Sequence, residues 1–511
     1  MYRIFGPPGT GKTTTLLNKV DDALQSGVEP TKIAFLAFTR KAAEEAKERA
    51  AARFKLDPKK DLYFFRTIHS LALSLSDISP EQVMQPSDYR ELSEGMGVHL
   101  VTTKSVNFDD DLPDMMKASD PILGLINLAR LRKVPLRKQY DMSNTHLTWS
   151  EINYVNGCVE RYKQVRHKFD FTDMLENFVK EGSNFCPHFD MCFVDEAQDL
   201  SPMQWDIASL LDERSKRMYV AGDDDQAIYR WAGADVDTFI NLDGGSDTLS
   251  QSYRIPYSVH KVAEGIVKRI QRRVVKNYEP RQEMGEVGYY RDIMDIDLSE
   301  GSWLIMAQAG YMLEPVAQYL KSFGYLFEYR GSRSISAKIS DAVNGWEQLR
   351  KGESVTGQTA RNIYEYMSAK DSINSCQRIK KGFKRLKGLE DAETVNMQDL
   401  NVNHGLLATK DMLWHEAMDR LPERDRAYII ALLRRGERFN GTPRIIVSTI
   451  HGTKGGEADN VVVFSDISAA AQRDMTERPD DMHRVFYVAV TRTRERLFII
   501  EGEDLNRSYD I

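Results

Sequence analysis

Short, unbroken apolar runs recur along the chain, each leading into a polar loop. Ile4 and Phe5 run into a glycine-rich turn, and residues 33–38 are apolar throughout. Residues 191–194, 218–221, 303–306 and 461–464 repeat the pattern. Strands covered on both faces have this appearance, whereas a strand with one wet face alternates. The first two runs each lead into helical composition. Thr39 opens a stretch over 40–51 rich in Ala, Glu and Lys. Strand–loop–helix repeated in this way predicts an α/β fold with a doubly wound parallel sheet. Residues 64–70 read as the tip of a third strand.

The pattern changes at residues 76–168, which become helical, polar and irregular. They predict a helical insert in the first sheet domain. Its basic cluster, Arg130, Arg132, Lys133, Arg137 and Lys138, is open to two readings, a solvated face or a nucleic-acid contact. A length of 511 residues exceeds one core and predicts three or four domains.

Composition narrows the class. The chain is 41% hydrophobic and 28% charged, as soluble globular proteins are. No apolar run approaches membrane-spanning length, and Ile4 follows Met1 too closely to leave room for a signal peptide. The four cysteines (Cys158, Cys186, Cys192, Cys376) form no C-x-x-C pair, which argues against a disulfide scaffold or a zinc site. A cytoplasmic location is expected. The net charge of −7 argues against a passive, histone-like binder, but not against a protein with one basic channel.

Three stretches carry chemistry. The first apolar run leads into Gly6-Pro7-Pro8-Gly9-Thr10-Gly11-Lys12-Thr13-Thr14, a G-x-x-x-x-G-K-T phosphate loop. Gly6, Gly9 and Gly11 let backbone N–H groups turn inward onto phosphate oxygens. Lys12 supplies a point charge, and Thr13 a hydroxyl for Mg²⁺. Residues 191–194 end in Asp195 and Glu196. Asp195 suits Mg²⁺ through water, and Glu196 suits polarising an attacking water. An unpaired structural acid pair at the end of a buried strand would be costly. After 218–221 the chain reads Gly222-Asp223-Asp224-Asp225-Gln226-Ala227-Ile228-Tyr229-Arg230-Trp231. Gln226 is placed to sense a γ-phosphate, and Tyr229 and Trp231 to stack unpaired bases at roughly 1–3 kcal/mol each.

GPPGTGKT, AFTRKAAEEA, RTIHSLA, VDEAQD, GDDDQAIYRWAGAD and QSYR, in this order, resemble the motifs of UvrD/Rep/PcrA-type superfamily 1 DNA helicases. IIVSTIHGTKGGE (445–457) and RVFYVAVTR (484–492) continue the series. The resemblance implies two RecA-like parallel-sheet motor domains, each interrupted by a mainly helical insert. The first motor domain would comprise 1–75 and 169–255, with 76–168 inserted. The second would comprise 256–335 and 441–511, with 336–440 inserted.

By the same resemblance, Lys12, Thr13, Asp195 and Glu196 bind and hydrolyse MgATP. Gln226, Arg254 and Arg492 contact the γ-phosphate, the two arginines reaching in from the second motor domain. Tyr253 stacks on adenine and Glu457 reaches the nucleotide sugar. Phe38, Tyr229 and Trp231 form a base pocket. Thr39, Arg40, Arg230, Lys454, His69 and His451 lie along the DNA strand. Core packing is the competing reading for Phe38 and His69. The second insert carries Arg378, Lys380, Lys381, Lys384, Arg385 and Lys387. The family's insert touches duplex DNA, and this one looks short for that role.

Two departures stand out. Arg40 replaces the family's usual Asn, and the leading segment whose Gln reads adenine has no counterpart before Ile4. The expectation is therefore loose selection of the base. No fused nuclease is expected after the last motif. Partners would be single-stranded DNA and single/double-strand junctions, with replication or repair proteins unspecified and no membrane. The function expected is ATP-dependent 3′→5′ unwinding. A translocase that strips proteins from single strands shares every motif, and a nucleotide-switched binding protein is the third reading.

Overall fold

The computed structural model describes residues 1–100, 120–370, 376–438, 441–502 and 504–511. They form two compact units. Unit 1 holds Met1–Glu286, Ala470–Arg494 and Ile511; unit 2 holds Val287–Ala469 and Glu495–Asp510.

Unit 1 is built on six strands: β1 (Tyr2–Phe5), β2 (Ile33–Ala37), β3 (Phe65–Thr67), β4 (Phe189–Val194), β5 (Ser215–Gly222) and β6 (Ser246–Thr248). Their order is β3-β2-β4-β5-β1-β6, and every pairing is parallel. The apolar runs become strands because both faces are covered. Ile33 and Phe35 of β2 pack with Leu16, Leu17 and Val20 of the helix Lys12–Gln25. Ala34 and Leu36, pointing the other way, pack with Leu71, Phe178 and Trp205. Phe5 pairs with Gly222, and Leu36 with Val194. The carboxyl ends of β1, β2, β4 and β5 therefore share one edge, where ligands bind in open α/β sheets.

Residues 64–70 are not simply a strand tip. β3 ends at Thr67, whose side chain accepts from Ser70 N and starts the helix Ile68–Ser74, so His69 is helical. The helix after Thr39 runs Arg40–Phe54, longer than its Ala-rich core implied.

The first insert has a core of its own. Leu92 of the helix Pro86–Met96, Ile122 and Leu125 of Pro121–Leu131, and Ile152 and Val155 of Trp149–Arg166 meet there. Its basic cluster is largely neutralised. Arg130 pairs with Asp170 (2.8 Å), Asp173 (2.5 Å) and Glu176 (2.9 Å), Lys133 with Asp206, and Arg137 with Asp141 (3.0 Å).

Residues 256–286 and 470–494, expected in the second motor domain, belong to unit 1. Buried charge accounts for this. Lys276 lies 3.2, 2.5 and 2.9 Å from Asp223, Asp224 and Asp225, and Arg273 grips Asp225 with two bonds of 2.7 Å. Arg484, on the helix Pro479–Val490, is fully buried and donates to Asp224 O at 2.8 Å. Removing one partner from such a cluster typically costs about 3–5 kcal/mol.

Unit 2 carries a seven-stranded sheet of β7 (Glu286–Tyr290), β8 (Trp303–Ala307), β9 (Phe327–Tyr329), β10 (Ser332–Arg333), β13 (Ile445–Thr449), β14 (Ala458–Phe464) and β15 (Thr493–Ile500). β9, β13, β8 and β14 run parallel, and β10 is antiparallel to β9. A small antiparallel pair, β11 (Val355–Thr356) and β12 (Thr394–Val395), lies within residues 336–440. Those residues, expected as an insert, share the sheet's core: Trp346, Ile363 and Leu432 join Trp303 and Ile305 in one cluster.

Candidate functional site

The turn after β1 is a cradle shaped by glycine. Gly9 has φ +71°, and a Cβ there would lie 2.4 Å from Arg254 Cβ and 2.9 Å from Ser252 Oγ. A Cβ on Gly6 would strike the Lys12 side chain at 1.9 Å. Thr10 Oγ1 donates to Pro7 O at 2.7 Å and closes the turn. Gly11, left-handed, is the N-cap of Lys12–Gln25, so the first-turn amides around Thr13 and Thr14 open into the cradle. Lys12 Nζ donates to Gly6 O at 2.9 Å and stands 3.8 Å from Glu196 Oε1.

β4 delivers the acids. Thr13 Oγ1 donates to Asp195 Oδ2 at 2.5 Å, so a hydroxyl and a carboxylate converge from different elements. Burial, then the adjacent Glu196 charge, pushes Asp195 up to about 6. Glu196 sits in the left-handed region at φ +54°, which costs a non-glycine residue roughly 1–2 kcal/mol. Gln198 holds it there. This fully buried amide donates to Glu196 Oε2, while its own oxygen accepts Asp223 N at 3.0 Å. Gln198 stands in the quoted VDEAQD stretch, but no spacing rule distinguishes it from its neighbours.

β5 leads into the acidic loop that carries Gln226. Gln226 Nε2 donates to Asp223 Oδ2 at 2.6 Å, and Arg492 Nη2 donates to Gln226 Oε1 at 2.7 Å. Arg492 is buried, its Nε held by Val488 O at 3.0 Å. Arg254 lies on the phosphate loop and reaches Thr491 O at 3.5 Å. Tyr253 N donates to Gly9 O at 2.8 Å, and Ser252 Oγ to Pro8 O at 2.8 Å; the Tyr253 ring is 72% exposed. Arg254 and Arg492, expected from the second motor domain, lie in the same compact unit as the loop they face.

The aromatic group divides. Tyr229 is 5% exposed and stacks on Phe38 at 5.5 Å and 20°, while Trp231 is 53% exposed on the short turn Arg230–Ala232. Tyr229 and Phe38 thus pack against each other, and Trp231 presents a surface. Thr39 caps the following helix by accepting Ala42 N at 3.2 Å, and Arg40 pairs with Glu44 at 2.9 Å. His69 is not the satisfied core histidine of the alternative reading. Its Nε2 is covered without a hydrogen-bond partner, and burial pushes its pKa down to about 4.

In unit 2, His451 and Lys454 are half-buried and Glu457 is exposed, all between β13 and β14. Residues that sequence reasoning did not single out, beyond Gln198, are Lys276, Arg273 and Arg484. They clamp the acidic loop from 48 to 260 residues away, which no local pattern signals.

The chain is similar to known proteins over much of its length. Residues 2–245 match the family model for the UvrD/REP helicase N-terminal domain, and 444–500 match that for the UvrD-like helicase C-terminal domain. An ATP-dependent DNA helicase PcrA of Leuconostoc citreum is 26% identical over 380 residues, covering 71% of this chain and 50% of its own. The protein of that name from Bacillus subtilis (strain 168) is 27% identical over 316 residues, covering 58% and 41%. The chain thus spans half or less of the length of these curated relatives. A solved complex of arterivirus nonstructural protein 10 (helicase) with DNA covers 99% of this chain and 62% of that one, at 12% identity. Its TM-score of 0.33 is too low to inform the site.

Proposed function

This chain belongs to the UvrD/PcrA-type superfamily 1 helicase family, and from that premise we propose that it is an ATP-driven motor on single-stranded DNA, moving 3′→5′ and separating duplex. The observation that carries the reading is one loop. Gln226, hydrogen-bonded to Arg492, and the exposed Trp231 lie five residues apart on the segment leaving β5. A change at the phosphate end thereby acts on the aromatic end.

The donor set of the turn fits a nucleoside triphosphate, and glycine lets Lys12 and Arg254 pack directly on the turn, since a Cβ at Gly6 would strike Lys12 and one at Gly9 would strike Arg254. Thr13 and Asp195 offer the hard oxygen donors that Mg²⁺ prefers, and a bound Mg²⁺ would neutralise charge on the β and γ phosphates. Lys12 leaves Gly6 O for phosphate oxygen. Glu196, oriented by Gln198, accepts a proton from the attacking water. Arg254 and Arg492 face the charge that develops on the transferred phosphoryl group. Tyr253 offers an exposed ring to the base, and motif position assigns Glu457 to the sugar. Phe38 and Tyr229 back the surface on which Trp231 receives bases. Motif position assigns strand contacts to Thr39, Arg40, His69 and Arg230 in unit 1, and to His451 and Lys454 in unit 2.

The test is ATP turnover with and without single-stranded DNA, paired with strand displacement on duplexes tailed at either end. Stimulated turnover with displacement only from 3′ tails is expected. Stimulated turnover without displacement from either tail would identify a translocase, and no stimulation would overturn the motor reading.

A further inference from the structure

The basic run of the second insert is a folded ribbon. Between Lys380 and Leu389 the chain turns three times in succession, and each turn is closed by a main-chain bond. Phe383 N donates to Lys380 O at 3.2 Å, Leu386 N to Phe383 O at 3.0 Å, and Leu389 N to Leu386 O at 3.3 Å. This period of three sorts the side chains. Leu386 and Leu389 are buried in the core of unit 2. Arg361 pins the ribbon by donating to Leu386 O at 3.1 Å and to Leu389 O at 2.5 Å. Lys380, Lys381, Lys384, Arg385 and Lys387, set between these anchors, are all exposed. Among the described residues, none of the five is paired with a carboxylate. Of the acids that follow, Asp391 is held by Arg361 at 2.6 Å and Glu393 accepts Glu390 N at 3.3 Å. Glu390 is exposed and joins none of the ribbon's cations.

Phe383, the remaining apolar member of the period, stays at the surface. Its ring lies over Gly405, at φ +68°, where a Cβ would stand 2.7 Å from Phe383 Cγ. Gly405 belongs to a segment that pairs antiparallel with the start of the ribbon. Ile379 opposes Leu406, Lys380 N donates to Gly405 O at 2.8 Å, and Leu407 N to Arg378 O at 2.8 Å. Alternation sends the buried Ile379 and Leu406 inward and leaves Arg378, Lys380 and Leu407 on the outer face. Phe383 is 39% exposed and Leu407 38%. An apolar centre is thus rimmed by cations on a pinned backbone. That is the composition of a docking surface, whereas a solvated charge run has no apolar centre.

We propose that this ribbon docks an acidic segment of a protein partner, one that carries an apolar side chain among its carboxylates. The unpaired cations select an anion. Phe383 and Leu407 select a peptide among anions, because a phosphodiester backbone answers the cations but sets no apolar group against Leu407. The inference does not rest on the motor reading. Its residues all lie in unit 2 and outside the nucleotide and strand positions named above.

The experiment follows binding of the full chain to a fluorescent peptide in which aspartates and glutamates flank one phenylalanine. Saturable binding that weakens as salt rises is expected. Lys381→Gln and Lys384→Gln should each weaken it about two- to fivefold. Phe383→Ser should weaken it about fivefold or more. Lys384→Arg, which keeps the charge, should bind as wild type does. So should Lys351→Gln, an exposed lysine at the end of the helix Ala337–Arg350. ATP turnover without DNA should be unchanged in every variant. If Phe383→Ser does not fold, a peptide with its phenylalanine replaced by serine reads the same contact on the wild-type chain and should lose as much. No saturable binding to wild type, or wild-type affinity in both lysine-to-glutamine variants, would overturn the proposal. A DNA duplex or an oligothymidylate that loses affinity in those variants while the peptide does not would assign the ribbon to nucleic acid instead.

Discussion

Arg492 Nη2 and Gln226 Oε1 are 2.7 Å apart across 266 residues of sequence. The arginine is buried and its Nε is held by its own helix, so it cannot swing away without breaking a second bond. Gln226 is in turn fastened to Asp223, at the end of β5. The two side chains are thus fastened as one unit. Arg492→Ala and Gln226→Ala should each lower ATP turnover, by about 10²-fold or more for the arginine. The double variant should fall well short of the product of the single losses, with a coupling of about 0.5–3 kcal/mol. Simple multiplication of the two losses would show that the residues act separately.

Lys12→Ala should abolish ATP turnover while leaving single-strand affinity largely intact. Its Nζ donates to Gly6 O and approaches Glu196, far in the chain from Trp231. Turnover near the wild-type rate would remove the phosphate-loop assignment.

Trp231 and Tyr229 should separate cleanly. Trp231→Ala takes away an exposed ring, so DNA-stimulated turnover should drop while basal turnover and thermal stability hold. The expected loss of strand grip is about 1–3 kcal/mol. Tyr229→Ala empties a buried stack on Phe38 and should lower the melting temperature, with a destabilisation of about 3–5 kcal/mol. Melting curves of the two variants, side by side, check the contrast.

Gln198→Leu should retain the fold's volume but release Glu196 and the Asp223 amide. The expected result is a fall in kcat of about 10- to 100-fold with nucleotide affinity little changed, as for loss of a residue that orients another. A change confined to nucleotide affinity would assign Gln198 to the cradle instead.

His69 predicts a pH effect on stability. Its folded pKa, about 4, lies below the unfolded value of 6.5, so below pH 6.5 the unfolded chain binds the extra proton. This contribution to stability is full above pH 6.5, declines as pH falls, and is gone below about 4. His69→Phe should therefore lose less melting temperature than wild type between pH 7 and pH 5. Equal losses would show that His69 is solvated in solution.

The local chemistry was legible in the sequence because it depends on short spacings. The run from Gly6 to Thr14, the acids closing β4, and Gln226 five residues before Trp231 are each set within about a dozen positions. The apolar runs likewise announced parallel strands, since burial on both faces leaves no alternation to misread. Helix 68–74 was missed because Thr67 ends a strand and caps a helix at once, and the cap shows only in its bond to Ser70 N.

Tertiary structure decided the rest. Tyr229 and Trp231 stand two residues apart and are both aromatic, yet only packing against Phe38 determines which is buried. Arg254 and Arg492 took their places in unit 1 because Lys276, Arg273 and Arg484 bind distant segments to the acids after β5. Arg130 and Arg132 are neighbours in one basic cluster. The first is neutralised by Asp170, Asp173 and Glu176, and the second, among the described residues, donates to neutral oxygens of Arg230 and Gln139. Charge and residue type are properties of the sequence, but whether a charge is already neutralised depends on which distant carboxylates the fold brings within reach.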